Sequence, residues 1–242
     1  MLLIFNGAPK GGSTWLLQIV TSLGIHARIP KGYQQEGWAN SSLADDRVQP
    51  FLNEVDIETG QYCCKQHWFG EQWHRELLEI PHVRVLNIIR DLRDVVVSRY
   101  FHDMRLGIVE DGVSIEHYWG HHNGRGRAKR YIDYHLFWHD HERDREPWLA
   151  SYERLHDDFY AEVQALLKHI GLDDLGDEAI HRAHRATSLA NRPSESGDGK
   201  FFRKGIVGDW KNHLPAWIVD ELDGMIEETG YSRLLAKIGS RT

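Results

Sequence analysis

The chain has 242 residues, of which 41% are hydrophobic and 27% are charged, which is the composition of a globular protein with one full core. Its formal net charge of −7 argues against general nucleic-acid binding, because phosphate contacts dominate that affinity. The sequence shows no signal peptide and no apolar run near the roughly 20 residues that span a bilayer. The adjacent Cys63 and Cys64 do not suggest a disulfide framework. We therefore expect one cytoplasmic domain over residues 1–242.

The first predicted elements are a strand, a glycine-rich turn and a helix. The apolar run Leu2–Phe5 predicts a buried strand, and apolar residues at helical spacing predict a helix over Trp15–Leu23. Between them, the backbone N–H groups of the turn, the helix N-terminus and the Lys10 ammonium all favour a bound phosphate. Lys10 precedes the glycines, whereas a Walker loop places its lysine after the last glycine. This is therefore a phosphate loop of another kind.

The turn itself carries the candidate phosphate-binding groups. They lie in the run NGAPKGGSTW and are Lys10, Gly11, Gly12, Ser13 and Thr14. The two hydroxyls can donate hydrogen bonds to phosphate oxygens, and the Trp15 ring offers a flat face for a base. The alternative is an ordinary strand-to-helix turn whose tryptophan packs in the core.

A candidate catalytic pair lies on the strand predicted for Gln61–Trp68, after a loop-rich flap at Lys31–Val55. Residues two apart in a strand face the same way, so Lys65 and His67 are expected roughly 7 Å apart on one face. A neutral imidazole can accept the proton of an attacking hydroxyl, and a lysine can stabilise charge on a transferred group. A core or surface histidine without a catalytic role is the alternative.

The best buried strand is predicted at Val83–Ile89, and a helix follows it from Asp91 to about Met104. Arg90 falls where the strand ends, and Ser98 follows within the helix. A planar guanidinium and a neutral hydroxyl can bind one phosphate together. A charged start to an amphipathic helix would explain the aspartates of this segment but not an arginine at the strand end.

The second half of the chain alternates helices with one further strand. We predict a variable excursion at Gly107–Gly126, a long loop at Asn191–Gly208, a strand at Trp148–Tyr152, and helices at Ala128–Arg145, Asp158–Ile170, Asp177–Ala186 and Ala216–Glu228. Strands separated by helices indicate an α/β fold, with a mostly parallel central sheet flanked by helices. Ligands in such folds bind at the carboxyl ends of the strands.

Two histidine-rich segments, His121–His122 and His135–His141, raise the question of a metal site. His135 and His139 stand four residues apart on a predicted helix, a spacing that can bind zinc. No cluster of Cys or Glu ligands accompanies them in the sequence. We therefore expect solvent-facing or acceptor-pocket histidines and no metal.

Three motifs together resemble those of the sulfotransferases that use 3′-phosphoadenosine 5′-phosphosulfate (PAPS). The run PKGGSTW is similar to their 5′-phosphosulfate loop, and the interval from Arg90 to Ser98 is similar to their 3′-phosphate element. The run FFRKGIVGDWKN at Phe201–Asn212 is similar to their RKGxxGDWKN segment. The resemblance implies a P-loop nucleotide-kinase-like fold that binds PAPS and its product 3′-phosphoadenosine 5′-phosphate (PAP). Beyond the residues above, it implies cofactor contacts from Tyr152, Ser188, Arg203, Lys204 and Gly205.

The resemblance also implies an enzyme in which His67 is the general base and Lys10 and Lys65 neutralise developing charge, with no metal required. The expected acceptor is a hydroxylated small molecule, and a bacterial small molecule or glycoside is as consistent as a phenol or steroid. Pro215 and Ala216 stand where the family's dimer motif continues with Thr-Val, so the same dimer is not expected. Two other classes stay open, namely an ATP-dependent phosphotransferase on the same fold and a non-catalytic nucleotide-binding protein.

Overall fold

The computed structural model describes residues 1–36, 42–139, 147–188 and 205–239. Its strands are β1 (Leu2–Asn6), β2 (Ala27–Arg28), β3 (Tyr62–Gln66), β4 (Val83–Ile89) and β5 (Trp148–Ser151). Within the described ranges they form one five-stranded sheet in the order β2-β3-β1-β4-β5, and every neighbouring pair is parallel. The predicted α/β fold with a parallel central sheet is therefore confirmed.

Helices connect and cover the strands. They are α1 (Ser13–Ser22), α2 (Val48–Glu54), α3 (Gln72–Glu76), α4 (Leu92–Arg105), α5 (Ile115–His121), α6 (Gly124–His139), α7 (Tyr152–Asp157), α8 (Phe159–His169), α9 (Asp177–Thr187), α10 (Ala216–Glu228) and α11 (Tyr231–Gly239). Among the helices of the described ranges, none is both long enough and apolar enough to cross a membrane.

Both faces of the sheet are buried because successive side chains of a strand point to opposite sides. In β1, Leu3 and Phe5 join a cluster that contains residues of α1, α8 and α9. Leu2 and Ile4 join the other cluster, with residues of α4, α6, α10 and α11. A strand buried on both faces is mostly apolar, and β4, which is apolar except for Arg84 and Asn87, could be predicted from the sequence to the residue.

Several connecting segments differ from the prediction. The excursion expected at Gly107–Gly126 contains α5, whose first turn is capped by the Ser114 hydroxyl accepting the His117 N–H at 3.2 Å. The flap expected at Lys31–Val55 contains α2, and α6 begins four residues before the predicted Ala128. The strand predicted to include Tyr152 ends one residue earlier, and neither α7 nor α11 was predicted. α2, α5 and α7 span seven residues or fewer, so each has too few turns for its helical periodicity to be recognised in the sequence.

The carboxyl ends of four strands meet at one edge of the sheet, and each leads to a predicted site residue. β1 leads into the loop of Lys10, β3 into His67, β4 into Arg90 and β5 into Tyr152. The register places the ends of β1 and β3 level, and likewise those of β4 and β5. The fold therefore gathers side chains that are far apart in the sequence, as expected for a parallel sheet.

Candidate active site

The loop between β1 and α1 is tightly constrained. Lys10 has φ 71° and Gly12 has φ 110°, so both occupy the left-handed region. The Gly11 N–H donates to the Ala8 carbonyl at 3.0 Å, which closes the turn. A Cβ at Gly12 would lie 2.7 Å from the Tyr152 ring, so only glycine fits there. Because Gly12 has no side chain, it cannot cap α1, so the N-cap residue gives the first N–H groups of the helix no side-chain acceptor.

Lys10 lies in a strongly cationic environment. Burial lowers its pKa from 10.5 to about 7, and the charges of Arg105, Lys65, Arg99 and Arg90 add to that shift, in this order. A pKa lowered by several like charges means that positive charge exceeds negative charge around the loop. The loop is therefore electrostatically suited to a ligand that carries several negative charges.

The candidate catalytic pair sits at the end of β3. Lys65 is buried, with 7% of its surface exposed, and lies on the strand, whereas His67 follows one residue beyond the strand end. His67 Nδ1 hydrogen-bonds the Gly7 carbonyl, so Nδ1 carries the proton and Nε2 carries the lone pair. Burial lowers the pKa of His67 to about 3, and the Lys65 charge lowers it further than any other single charge. The imidazole is therefore neutral at physiological pH, as a general base must be.

Arg90 is held at the end of β4 with one donor left over. Its backbone N–H donates to the Tyr131 hydroxyl at 3.0 Å, and its guanidinium lies 4.2 Å from the Tyr152 ring centroid. Asp94 approaches the guanidinium at 3.9 Å, and Nη2 donates to the Ile206 carbonyl at 3.4 Å. Only 8% of the residue is exposed, yet its Nε has no hydrogen-bond partner within the described part of the chain. Buried donors are nearly always satisfied, so this Nε indicates a missing acceptor.

The Tyr152 ring joins the phosphate loop to Arg90. It touches the Gly12 position on one side and the Arg90 guanidinium on another. The Trp15 ring meets it edge-on at 5.3 Å and also packs near His156 and Phe159, with only 5% of Trp15 exposed. Trp15 is thus part of the core beside the site, and its stacking against a base stays a prediction.

Asp94 anchors the segment after residue 205 to α4. Its carboxylate accepts the Gly208 N–H at 2.7 Å and the Trp210 N–H at 3.0 Å. Ser98 follows Asp94 by one helical turn and therefore lies on the same side of α4. Gly205, with φ 64°, stands at the start of this described segment, whereas the predicted Arg203 and Lys204 lie outside the described residues.

The remaining predicted positions are placed as follows. Ser13 and Thr14 open α1 and are buried. Ser188 ends α9, a helix that packs on α1, and its hydroxyl donates to the Arg185 carbonyl at 3.2 Å. Sequence reasoning missed Tyr131, which bonds the Arg90 backbone from α6. No local pattern marks it, because the contact spans 41 positions of the chain.

The histidine-rich helix α6 is structural where it is described. His135 is fully buried and packs edge-on against Tyr131 and Tyr134. The His139 ring hydrogen-bonds the Asn87 side chain at 3.0 Å. His141 lies outside the described residues. Within those residues no group of three or more His, Cys, Asp or Glu side chains could hold a metal ion.

A parallel sheet with a glycine-rich loop after its first strand defines a P-loop-like α/β protein. The chain belongs to the sulfotransferase family, because the model of the sulfotransferase domain matches residues 2–234. Membership confirms both the resemblance seen in the sequence and the assignment as a sulfotransferase enzyme. Mouse sulfotransferase 2B1 is 25% identical over 236 residues, which cover 91% of this chain and 68% of that protein.

Solved structures share the fold at lower identity. Mouse sulfotransferase SULT7A1 complexed with PAP superposes with a TM-score of 0.71 at 18% identity, covering 100% of this chain and 88% of that one. Retinol dehydratase in complex with androsterone and the inactive cofactor PAP superposes with a TM-score of 0.66 at 15% identity, covering 94% of this chain and 80% of that one. At these identities the likeness establishes the fold.

Proposed function

We propose that this enzyme transfers the sulfuryl group of PAPS to a hydroxyl or amine of a small-molecule acceptor and releases PAP. The observation that carries the proposal is the meeting of the Lys10 loop and Arg90 around one aromatic ring, Tyr152. The Nε of Arg90 is buried and has no hydrogen-bond partner among the described residues, which supports a phosphate oxygen as its acceptor. PAP in the complexes of SULT7A1 and retinol dehydratase is consistent with the same donor here.

In this proposal, separate groups of residues bind the 5′-phosphosulfate, the 3′-phosphate and the adenine of the donor. The Lys10 loop and the start of α1 hold the 5′-phosphosulfate, because full and partial positive charges converge there. Arg90 and Ser98 hold the 3′-phosphate beside the segment that Asp94 anchors. The residues assigned to complete the 3′-phosphate and adenine contacts are Gly205, Arg203, Lys204, Trp15, Tyr152 and Ser188.

His67 performs the proton transfer. With Nδ1 bonded to the Gly7 carbonyl, Nε2 takes the proton of the acceptor hydroxyl. The acceptor oxygen then forms a bond to sulfur while the bond from sulfur to the phosphate oxygen breaks. Lys10 and Lys65 neutralise the charge that the departing phosphate gains. In the free protein the lowered pKa makes His67 a weak base, and the negative charge of a bound donor raises that pKa toward the useful range.

We also propose the cytoplasm as the location of the enzyme. Both Cys63 and Cys64 are buried and unpaired, which fits a reducing compartment. The reaction as written uses no metal ion.

The test is transfer of label from ³⁵S-PAPS to a panel of phenols, alcohols, glycosides and amines, with PAP release measured in parallel. We expect labelled product from at least one acceptor class. His67→Ala should lower turnover by about 10²- to 10⁴-fold and leave the Kd for PAP unchanged. His181→Ala, which removes an exposed histidine of α9, is the matched control and should have normal turnover. Full turnover in His67→Ala would refute the general base, and preference for Mg²⁺-ATP over PAP would refute the donor.

A further inference from the structure

A cavity opens directly beside the phosphate loop. Its volume is about 160 Å³, and Ala8 and Pro9 of the loop form one wall. Tyr131 separates it from the 3′-phosphate side, because its hydroxyl bonds the Arg90 backbone while the residue lines the cavity. Phe69, two residues after the candidate base, lines another wall. The cavity therefore borders the loop next to Gly7, whose carbonyl bonds the candidate base His67.

The size and apolar lining of the cavity suit one ring. Val95, Val96 and Ala128 supply aliphatic contacts, and Phe69 and Tyr118 supply aromatic ones. An apolar cavity of about 150 Å³ holds a benzene molecule. A single six-membered ring therefore fits, whereas a steroid skeleton would have to extend well beyond this space.

Among the described residues, the charged side chains that line the cavity are all cationic, namely Arg99, Arg127 and Arg130. Arg99 and Arg127 share one buried carboxylate, that of Asp103, which has no exposed surface and also accepts the Tyr118 hydroxyl at 3.0 Å. One carboxylate cannot neutralise two guanidinium groups. Arg99 Nε lies 2.9 Å from Asp103 Oδ1 but outside hydrogen-bonding geometry, and Arg127 Nη1 donates to the Tyr118 hydroxyl at 2.9 Å. A guanidinium has five N–H donors, so these contacts leave donors of both groups for a ligand.

Arg130 adds a third positive charge at the exposed rim. Its guanidinium stacks over the Phe69 ring at 4.3 Å, a contact that orients a cation without neutralising it. Burial and the charge of Arg99 also lower the pKa of Arg127. Several guanidinium groups that line one apolar cavity and share one carboxylate are an arrangement that can bind an oxyanion.

We infer that the acceptor is a hydroxylated single-ring compound that carries a carboxylate, which Arg127 and Arg130 bind while the hydroxyl faces His67. The inference rests on the proposed sulfuryl transfer and adds the chemical class of its acceptor. A carboxylate bound in this way contributes to the ground state and the transition state equally, so it lowers KM and leaves kcat nearly constant.

The test compares 4-hydroxyphenylacetate with its neutral amide and with tyramine, which carries a positive charge. We expect kcat/KM to be roughly 10- to 100-fold higher for the carboxylate than for the amide, the worth of a charge-assisted hydrogen bond, and lowest for tyramine. Arg130→Gln and Arg127→Gln should each raise KM for the carboxylate and leave the amide unchanged. Lys129→Gln is the matched control, because Lys129 is the neighbouring exposed cation of α6 and pairs with Asp133 instead.

The outcomes separate this inference from the proposed function. If no member of the series and no acceptor class of the wider panel takes up label, the sulfuryl transfer itself is refuted. If other classes take up label but none of these phenols does, the transfer stands and the inference is wrong. If phenols accept label but the amide reacts as well as the carboxylate, the transfer stands and the inference is wrong. If the arginine variants weaken PAP binding and leave the carboxylate preference intact, these arginines serve the donor, and the inference is again wrong. Calorimetric titration of the carboxylate into the complex with PAP gives a readout that does not depend on turnover.

Discussion

Binding of PAP should draw a proton into the site, and Lys10 is the residue that takes it up. In the free protein the pKa of Lys10 is about 7, lowered from 10.5 by burial and by four neighbouring cations. A phosphate in the loop supplies the missing negative charge, so the pKa rises on binding. At a pH between the pKa of Lys10 in the free protein and its pKa in the complex, Lys10 is neutral in the free protein and protonated in the complex. Affinity must therefore fall as pH rises through this window, by up to about tenfold per pH unit.

The size of the effect follows from the two pKa values. At about pH 8.5, roughly 97% of Lys10 is neutral in the free protein, and nearly all is protonated in a complex whose pKa has returned to its ordinary value. Binding then takes up close to one proton, and the affinity is about 30-fold weaker than with Lys10 fully protonated. The phosphates of PAP add little at this pH, because their second pKa lies near about 6.

Calorimetry measures the proton directly. PAP is titrated at about pH 8.5 in two buffers of different ionisation enthalpy, and the difference in apparent binding enthalpy gives the number of protons taken up. Lys10→Arg is the control, since an arginine stays protonated in both states and should reduce the uptake to near zero. Equal enthalpies in both buffers for the wild type, or an uptake that persists in Lys10→Arg, would refute the assignment.

Three further predictions concern single positions. Asp94→Ala removes two charge-assisted hydrogen bonds to the backbone at 208 and 210, so urea unfolding should show a loss of about 3 kcal/mol and PAP should bind more weakly; unchanged PAP affinity would contradict the anchoring role. Gly12→Ala should weaken PAP binding at least about tenfold, whereas Gly24→Ala, at a left-handed position without close neighbours, should cost only about 1 kcal/mol of stability and no affinity; equal effects would argue against the Tyr152 contact. The His67 ring should stay neutral in NMR titration down to about pH 4, because its pKa is lowered to about 3, and protonation near pH 6.5 would contradict its burial.

The sequence predicted the site best where each residue stands at a strand end. Lys10 and Arg90 follow apolar runs that are buried on both faces, and a parallel sheet brings such positions to one edge. His67 was expected on a strand that in fact ends at Gln66, yet it still faces the loop through Gly7. For predicting the site, the position of a residue near a strand end was therefore more informative than the exact length of the strand.

Contacts between distant segments could not be predicted from local pattern. The Tyr131 hydroxyl reaches Arg90 from α6, and Asp94 reaches the backbone of Gly208 across 114 positions. The cationic cavity depends on α4 and α6 packing side by side, so that Arg99 and Arg127 share Asp103. No periodicity in either helix marks these arginines, because what makes them a site is the single carboxylate between them.

The most direct test of the central claim is a calorimetric titration of PAP, beside ATP with Mg²⁺, into the wild type and Arg90→Ala. We predict that the wild type binds PAP in preference to Mg²⁺-ATP. Arg90→Ala should lose about 10²-fold or more in PAP affinity, because a buried guanidinium bonded to phosphate is removed. Preference for Mg²⁺-ATP, or equal PAP affinity in both proteins, would contradict a PAPS site at this edge of the sheet.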